Sequence, residues 1–225
     1  MFPWNCAAAR STSGLPVCSS ALFLSAALSI TAPAHAQDSG TVHMRGQGLA
    51  EMLLEYMAVR YPGRSLEGHI LYISVQRQRL FHVVDGLMRN DFTIATARAG
   101  LGTQVDSYRT PPGLHRVAEK FGDGLPIGSV LKDRLPTGEI VDLDEPGPDN
   151  DVITSRVLWL EGLEDGENRG GEKDSHDRFI YIHGTGNEAS LGCPSSMGCI
   201  RMANRDVIAI YGEVPLGALV VVLDN

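Results

Sequence analysis

The sequence has little positive charge, no internal repeat and no long uninterrupted apolar segment. Its 19 lysines and arginines are outnumbered by 27 aspartates and glutamates, and the formal net charge is −8. Nucleic-acid-binding domains concentrate basic residues on one face, so this composition argues against a nucleic-acid partner. Heptads, solenoid repeats and long low-complexity segments are also missing. The sequence therefore indicates neither a coiled coil nor a repeat architecture.

The N-terminal segment has the features of an export signal. Arg10 is the single charged residue before Asp38, and an apolar run over 15–32 precedes an A-x-A cleavage site at 34–36. The run is interrupted by serine and is short for a membrane span, although an uncleaved anchor is the alternative. We predict a signal peptide over 1–36 and export to the periplasm or cell wall. No stable membrane span is expected after cleavage.

Cysteine is scarce, and its distribution is informative. Cys6 and Cys18 lie in the predicted signal, which leaves Cys193 and Cys199 in an oxidising compartment. An even pair ordinarily suggests a disulfide, but this one would close a very short loop and block a reactive sulfur. Reversible redox pairing and a spectator role for Cys193 both stay open. The cysteine and histidine spacings match no common structural zinc pattern, so we expect neither metal nor cofactor.

Hydrophobic periodicity predicts one amphipathic helix followed by a β-rich body. Apolar residues recur at helical spacing over Gly48–Arg60, within a helical extension assigned to 37–66. Its apolar stripe, which we expect to pack on the domain, consists of Leu49, Met52, Leu53, Tyr56 and Met57. The predicted strands are Ile70–Val75, Leu80–Val84, Leu87–Ala97, Gly113–Lys120, Val152–Leu160, Phe179–His183 and Ala218–Leu223.

One more helix completes the predicted architecture. Asn204 is of a type that caps helices, and a helix from Arg205 to about Glu213 follows it. The acidic segments 139–151 and 161–177 are expected to be solvated loops. Many short strands with few helices predict a mainly-β, sandwich or barrel-like single domain over 67–225.

The segment 178–202 carries the candidate chemistry. A strand-like run delivers His183, a Gly- and Pro-rich loop follows, and Cys199 comes directly after Gly198. Cysteine reacts as the thiolate, and a nearby histidine takes the proton and stabilises the anion. The alternatives are that Cys199 is a small buried hydrophobe and that His183 is satisfied by the backbone. Gly198, which adds no bulk beside the sulfur, and Arg201, which adds a cation, favour the chemical interpretation.

These motifs resemble the signature of the L,D-transpeptidases, the YkuD domain family. The chain has H-G-T at 183–185 and S-M-G-C-I-R at 196–201, and the twelve residues 184–195 between His183 and Ser196 fit the family's loop length. The T-P-P-G at 110–113 is similar to the family's T-P-x-G element, although His115 replaces the usual aromatic residue. Many members carry a second histidine where Met197 stands. The resemblance covers about 67–223.

The resemblance implies a β-rich fold and a peptidoglycan substrate. The acyl donor would be a tetrapeptide stem cut between its third residue, a diamino acid, and the terminal D-Ala. His183 would deprotonate Cys199, which would form a thioester resolved by an amine acceptor. By resemblance, the backbone carbonyl of Gly184 orients the imidazole.

Further residues are assigned to substrate binding or to the loop. Backbone N–H groups of Gly198 and Cys199 are the candidate oxyanion donors. Arg201 either binds a substrate carboxylate or holds the loop. The remaining predicted residues are two loop hydroxyls and two candidate pocket residues: Ser196, Thr185, Tyr108 and Met197.

Several functions share this apparatus. The leading hypothesis is transpeptidation, with the acceptor an amine on a neighbouring stem or a lysine of a wall-anchored protein. With water as acceptor, the same site would be an L,D-carboxypeptidase or a hydrolase. A non-catalytic peptidoglycan-binding domain and a redox-regulated enzyme are the remaining alternatives.

Overall fold

The computed structural model describes residues 39–143 and 152–225, with side chains described from residue 47 onward. The signal peptide predicted over 1–36 therefore lies outside the described residues. Within the two described ranges, no helix is both long enough and apolar enough to cross a membrane.

The protein is mainly β, as predicted, with two α-helices in its described part. The bounds are α1 Ser39–Arg60, β1 His69–Ser74, β2 Arg79–Val84, β3 Leu87–Ala95, β4 Gly113–Phe121, β5 Ser129–Lys132, β6 Leu135–Ile140, β7 Ile153–Gly162, β8 Tyr181–Thr185, β9 Ile200–Met202, α2 Asn204–Glu213 and β10 Leu219–Leu223. The strand order is β4-β10-β1-β2-β3-β9-β8-β7-β5-β6, and an additional β4–β7 pairing closes the first eight strands into a ring. The predicted barrel-like architecture is confirmed.

The central core fills the inside of this closed sheet. Alternate residues of a strand point to opposite faces, so Leu71 and Ile73 of β1 join the interior while Ile70 and Tyr72 face outward. The buried face of α2 closes the interior with Val207 and neighbouring residues. Burying a Val, Leu or Ile side chain contributes about 1.5–3 kcal/mol, so this cluster dominates the stability of the domain.

Helix α1 covers the outer face of β1, β2 and β10, but its buried stripe differs from the prediction. Ala50, Leu53 and Met57 are buried, whereas Met52 and Tyr56 are 68% and 39% exposed. A helix turns 100° per residue, so the stripe centred on 50, 53 and 57 directs 52 and 56 away from the sheet. The helix also begins at Ser39, nine residues before the predicted start.

A carboxylate fastens the end of α1 to the sheet. Glu164 accepts hydrogen bonds from Arg60 Nη2 at 2.8 Å, from Tyr61 Oη at 3.0 Å and from the Leu114 backbone N–H at 2.6 Å. Burial, together with the Glu164 carboxylate, raises the pKa of Tyr61, so its phenol stays a donor. The helix and the closed sheet are therefore joined by polar as well as apolar contacts.

Three strands were not predicted from the sequence. All six residues of β6 are exposed, and its sequence LPTGEI contains proline and glycine, so it carries no burial alternation. Its partner β5 has four residues and β9 has three, which is too short for a periodic signal. The predicted strand Phe179–His183 begins two residues later, because Phe179 adopts a left-handed backbone with φ +55°.

A buried histidine makes the stability of the fold depend on pH. His115 of β4 is fully buried, with Nδ1 3.1 Å from the Gly113 carbonyl oxygen and Nε2 3.0 Å from Ser175 Oγ. A neutral ring satisfies both contacts by donating through Nδ1 and accepting at Nε2. Burial is the main cause that lowers the pKa of His115, from 6.5 to about 4.

We expect the free energy of unfolding to fall as the pH drops from 6.5 to 4. The unfolded chain takes up a proton at His115 near pH 6.5, whereas the folded chain does so only near pH 4, so protonation favours unfolding in this window. The loss from His115 is about 3 kcal/mol. Urea unfolding at several pH values measures it. His115→Asn, which keeps a donor toward Gly113 but does not titrate, should reduce the slope, and the remainder includes His82, whose pKa burial also lowers to about 4. An unchanged slope in this variant would contradict the assignment.

Candidate active site

The pairing of β8 with β9 brings the two candidate catalytic residues to one face of the sheet. The strands are parallel, and His183 is in register with Arg201. Cys199 lies two residues before Arg201, and Tyr181 lies two residues before His183, so all four side chains point the same way. Cys199 is a diagonal neighbour of His183, one row (about 6.6 Å) along and one strand (about 4.8 Å) across, so their Cα atoms are roughly 8 Å apart, which a cysteine and a histidine side chain together span.

The neighbouring strand β7 adds one apolar residue to each of these rows. Val157 pairs with His183, and Trp159 pairs with Tyr181. A small outer core therefore forms from Val157, Trp159 and Tyr181, and the half-buried Cys199 packs against it. The candidate sulfur lies on the outer surface of the closed sheet, next to aromatic rings.

The imidazole of His183 is held by the backbone. The side chain is 2% exposed, and Nδ1 lies 2.8 Å from the carbonyl oxygen of Gly184. A carbonyl oxygen only accepts, so Nδ1 carries the proton and Nε2 keeps its lone pair for a proton from elsewhere. This hydrogen bond is the one expected from the sequence, and its catalytic role stays a prediction.

The thiol of Cys199 lies close to two neighbours from the segment before β8. Sγ donates to the Phe179 carbonyl oxygen at 3.4 Å. Cys199 is a thiol, so the Cys193–Cys199 disulfide considered from the sequence is not formed here. Burial lowers the pKa of the adjacent Arg178, whereas the charges of Cys199 and Asp106 raise it. The guanidinium of Arg178 is therefore close enough to stabilise a thiolate.

Two hydroxyls hold the turn that presents the sulfur. Ser196 Oγ donates to the Cys199 carbonyl oxygen at 2.6 Å and accepts the Gly198 N–H at 3.2 Å. Thr110 Oγ1 donates to the Gly198 carbonyl oxygen at 2.9 Å, which connects the T-P-P-G turn to the cysteine loop. Gly198 has φ +134°, and a Cβ there would approach Ile180 Cδ1 to 3.3 Å.

The other predicted site residues divide into buried and exposed groups. Thr185 is fully buried, where Oγ1 accepts the Asn187 N–H at 3.2 Å, and Arg201 is 6% exposed within β9. Tyr108 and Met197 are 59% and 62% exposed. The structure thus brings His183, Gly184, Ser196, Gly198 and Cys199 together in one region, with Tyr108 and Met197 at the surface.

Asn204 has a structural role that sequence reasoning misassigned. The prediction that it caps α2 is wrong, because Ala203 is the N-cap and Asn204 is the first helical residue. Its buried Oδ1 accepts hydrogen bonds from Thr154 Oγ1 at 2.7 Å and Ser155 Oγ at 2.6 Å, and Nδ2 donates to the Thr185 carbonyl oxygen at 2.8 Å. The side chain therefore joins α2 to β7 and to β8, the strand that carries His183.

Sequence reasoning also missed the residues that surround the thiol from distant parts of the chain. Arg134, at the tip of the β5–β6 hairpin, lies over Trp159 and Phe179, with its guanidinium carbon 4.6 Å and 5.5 Å from the two ring centroids. Its Nη1 donates to Tyr181 Oη at 3.1 Å. No local motif marks these residues, because only strand pairing brings them to Cys199.

Arg178 offers a test of the electrostatics at the thiol. Arg178→Gln removes the nearby cation, and we expect the rate of Cys199 alkylation by iodoacetamide at pH 7 to fall about tenfold, since 1.4 kcal/mol of lost thiolate stabilisation is a factor of ten. Arg178→Lys keeps the charge and should retain most of the rate. Equal alkylation in the Gln variant and the parent protein would show that the cation does not act on the sulfur.

The described part of the chain contains no cluster of metal-ligating side chains. No group of three or more histidine, cysteine, aspartate or glutamate side chains in 39–143 and 152–225 is arranged to hold a metal ion.

Comparison with known proteins agrees with this geometry. The family model of the YkuD L,D-transpeptidase catalytic domain matches residues 68–222. The chain belongs to the YkuD L,D-transpeptidase family. The match includes the H-G-T element, the cysteine loop and the strands that pair them.

Individual relatives differ in how much of their length the chain covers. The protein YkuD of Bacillus licheniformis is 51% identical over 176 residues, which is 71% of this chain and 93% of that protein. The protein YqjB of Bacillus subtilis is 40% identical over 53 residues, or 24% of this chain and 30% of that protein. An L,D-transpeptidase structure from Mycobacterium smegmatis aligns with a TM-score of 0.42 and 18% identity, covering 69% of this chain and 58% of that one. The chain thus spans less than two thirds of the length of some relatives.

Proposed function

We propose that this protein catalyses acyl transfer on peptidoglycan stem peptides through a thioester on Cys199. One observation carries the proposal. In a member of the L,D-transpeptidase family, the thiol of Cys199 and the imidazole of His183 lie on one face of adjacent strands, and the Gly184 carbonyl holds the Nδ1 proton. This leaves Nε2 as the base for a nearby nucleophile.

The first half-reaction forms the thioester. His183 Nε2 takes the Sγ proton, and the thiolate attacks the carbonyl carbon of the bond between the diamino acid and the terminal D-Ala. The tetrahedral intermediate collapses as the C–N bond breaks, and D-Ala leaves with the proton returned by His183. The acyl group of the diamino acid is then bonded to sulfur.

The second half-reaction releases the sulfur. An amine attacks the thioester carbonyl, loses a proton to His183 and forms a new amide as the C–S bond breaks. An amine on a neighbouring stem would make a 3–3 cross-link, and a lysine would anchor a protein. Water would instead produce a tripeptide acid. The chemistry of Cys199 and His183 is the same in each case, because the binding groove selects the acceptor and these two residues do not.

The oxyanion of each intermediate needs preorganised donors. The backbone N–H groups of Cys199 and Gly198 are our candidates, and the Gly198 N–H already donates to Ser196 Oγ at 3.2 Å. For the Gly198 N–H to bind the oxyanion, its hydrogen bond to Ser196 Oγ would have to break. Losing one such donor typically raises the barrier by about 3 kcal/mol.

Mass spectrometry of the products tests the proposal. Purified tetrapeptide stems are incubated with the protein, with and without an added amine acceptor. We expect free D-Ala in both cases, cross-linked product when the amine is present and a tripeptide if water competes. A carbapenem, whose strained lactam acylates thiolates, should add its mass to Cys199. Binding of the stems without D-Ala release would instead favour a non-catalytic wall-binding domain.

The same proposal includes export and the division of the chain. A signal peptide over 1–36, a helical extension over 37–66 and a catalytic domain over 67–225 fit a protein that meets peptidoglycan in the periplasm or at the cell wall. N-terminal sequencing of the exported protein tests this, and a mature N-terminus at Gln37 is expected. Retention of residues 1–36 would favour the uncleaved anchor.

A further inference from the structure

The β5–β6 hairpin projects from the closed ring next to the thiol. Strand β5 pairs with β7 through Val130–Thr154 and Leu131–Ile153, whereas β6 pairs only with β5 and forms the edge of the sheet. The hairpin occupies the part of β7 that β4 leaves unpaired. The tip of the hairpin therefore lies beside Trp159 and Tyr181, the aromatic residues of the cluster that Cys199 packs against.

The turn at that tip holds an arginine in an unusual backbone conformation. Asp133 and Arg134 connect Lys132 and Leu135, and their φ values are +52° and +69°. Such two-residue turns favour asparagine and glycine, since a left-handed conformation costs other residues roughly 1 kcal/mol or more. A charged residue kept at a position where glycine would cost less suggests that its side chain has a use.

Arg134 is a half-buried cation with unused hydrogen-bonding capacity. Its guanidinium lies 4.6 Å from the Trp159 ring centroid and donates one hydrogen bond, to Tyr181 Oη. Among residues 39–143 and 152–225, no carboxylate forms a salt bridge with it. A guanidinium has five N–H donors in a planar fork that matches a carboxylate, and aromatic rings below it keep the fork in a fixed plane.

A cavity beside this cation is lined by two residues that also neighbour the thiol. Its volume is about 230 Å³, and its lining comprises Asp133, Arg134, Ile153, Val157, Phe179 and Tyr181. One is Phe179, whose carbonyl oxygen accepts the Cys199 S–H, and the other is Tyr181, which belongs to the outer cluster that Cys199 packs against. A space of this size equals roughly eight water molecules at 30 Å³ each, which is enough for one small amino-acid residue.

We infer that Arg134 binds a carboxylate of the donor stem peptide and thereby selects the substrate of Cys199. The inference rests on the proposed function and specifies its substrate contact. One carboxylate, that of the terminal D-Ala, always follows the scissile bond, and a second precedes it where the diamino acid carries a side-chain carboxylate. Both offer the same bidentate chemistry to the guanidinium.

Amidated peptides test the contact and separate the two sources. Turnover is compared for the tetrapeptide, its D-Ala carboxamide and its form amidated on the diamino-acid side chain. The parent protein should prefer the acid at one of these positions by about 100-fold in kcat/KM, mainly through KM. Arg134→Gln should erase that preference, and Arg134→Lys should keep part of it. Lys132→Gln, which removes an exposed cation from the same hairpin, should leave the preference intact.

A binding measurement distinguishes failure of this inference from failure of the proposed function. In a Cys199→Ala background, calorimetry of the same peptides reports recognition without turnover. Binding that prefers the acid and loses this preference in Arg134→Gln supports the inference even if no product ever forms. If Arg134→Gln weakens acid and amide equally, in binding or in kcat/KM, the residue only supports the hairpin and the inference is wrong.

Discussion

Replacing Cys199 with serine is expected to lower the rate of D-Ala release from a tetrapeptide stem by about 10⁴-fold or more. Serine keeps the shape of the side chain, but its hydroxyl holds its proton far more tightly than a thiol does, and the His183 imidazole is too weak a base to remove it fully. Losing a nucleophile that acts as a unit with its base typically costs rates of this size. A coupled assay of D-Ala release measures it, and a thermal melt confirms that the variant is folded.

The nucleophile assignment has two matched comparisons. His183→Gln should reduce activity to a similar level, and the double variant should be no worse than either single variant, because the two residues carry one step together. Cys193→Ala removes the other sulfur of the same loop and should retain activity. Loss of activity in Cys193→Ala with survival in Cys199→Ser would reverse the assignment.

The second large effect is expected from Gly184→Ala in the H-G-T element. A Cβ at Gly184 would lie 2.6 Å from the Thr154 carbonyl oxygen and 2.8 Å from Asn204 Oδ1. Neither atom moves easily, since Thr154 is in the paired strand β7 and Asn204 is held by Thr154, Thr185 and Glu188. Overpacking of this kind costs about 3 kcal/mol, which lowers the melting temperature of a domain of this size by about 6–12 °C.

The same substitution should also reduce activity in the fraction that stays folded. The Gly184 carbonyl holds Nδ1 of His183, so a displaced backbone would misalign the imidazole, and a shift of about 1 Å costs roughly 100-fold in rate. Calorimetry and the D-Ala assay measure the two effects separately. Gly212→Ala is the control, because a Cβ in this last turn of α2 meets nothing within 4 Å and the backbone there is not left-handed. An unchanged melting temperature for Gly184→Ala would show that β7 moves to accommodate the added methyl group without loss of stability, which would contradict the prediction.

Much of the fold was predictable because strand formation leaves a local pattern. Seven predicted strands correspond to observed ones within a few residues, and the helix near the C-terminus ends at Glu213 as expected. The elements that the prediction missed lack such a pattern. Strand β6 shows no alternation because all its residues are exposed, and β9 is too short to show any. In α1, Met52 and Tyr56 share the helical spacing of the buried residues but lie off the face that docks.

The site divides in the same way. Residue types and loop length were enough to propose His183 and Cys199, and the resemblance to the family implied the orienting carbonyl of Gly184, whose contact with Nδ1 is observed. The catalytic roles of these residues stay predictions. The roles suggested for Asn204 and for the Gly198 amide could not be judged from spacing, because both depend on which hydrogen-bond partner the folded chain supplies.

By itself the sequence determined the chemistry available to this protein, namely a cysteine and a histidine joined by a glycine-rich loop in a β-rich domain. These properties are local, since residue type, spacing and alternation are all read within about twenty residues. Only the tertiary structure decided what surrounds the sulfur. The parallel β8–β9 pairing aligns Cys199 with His183, and strand closure brings Trp159 and Arg134 to them from about 40 and 65 residues away in the chain. Such neighbours follow from long-range strand register, which no single segment of the sequence encodes.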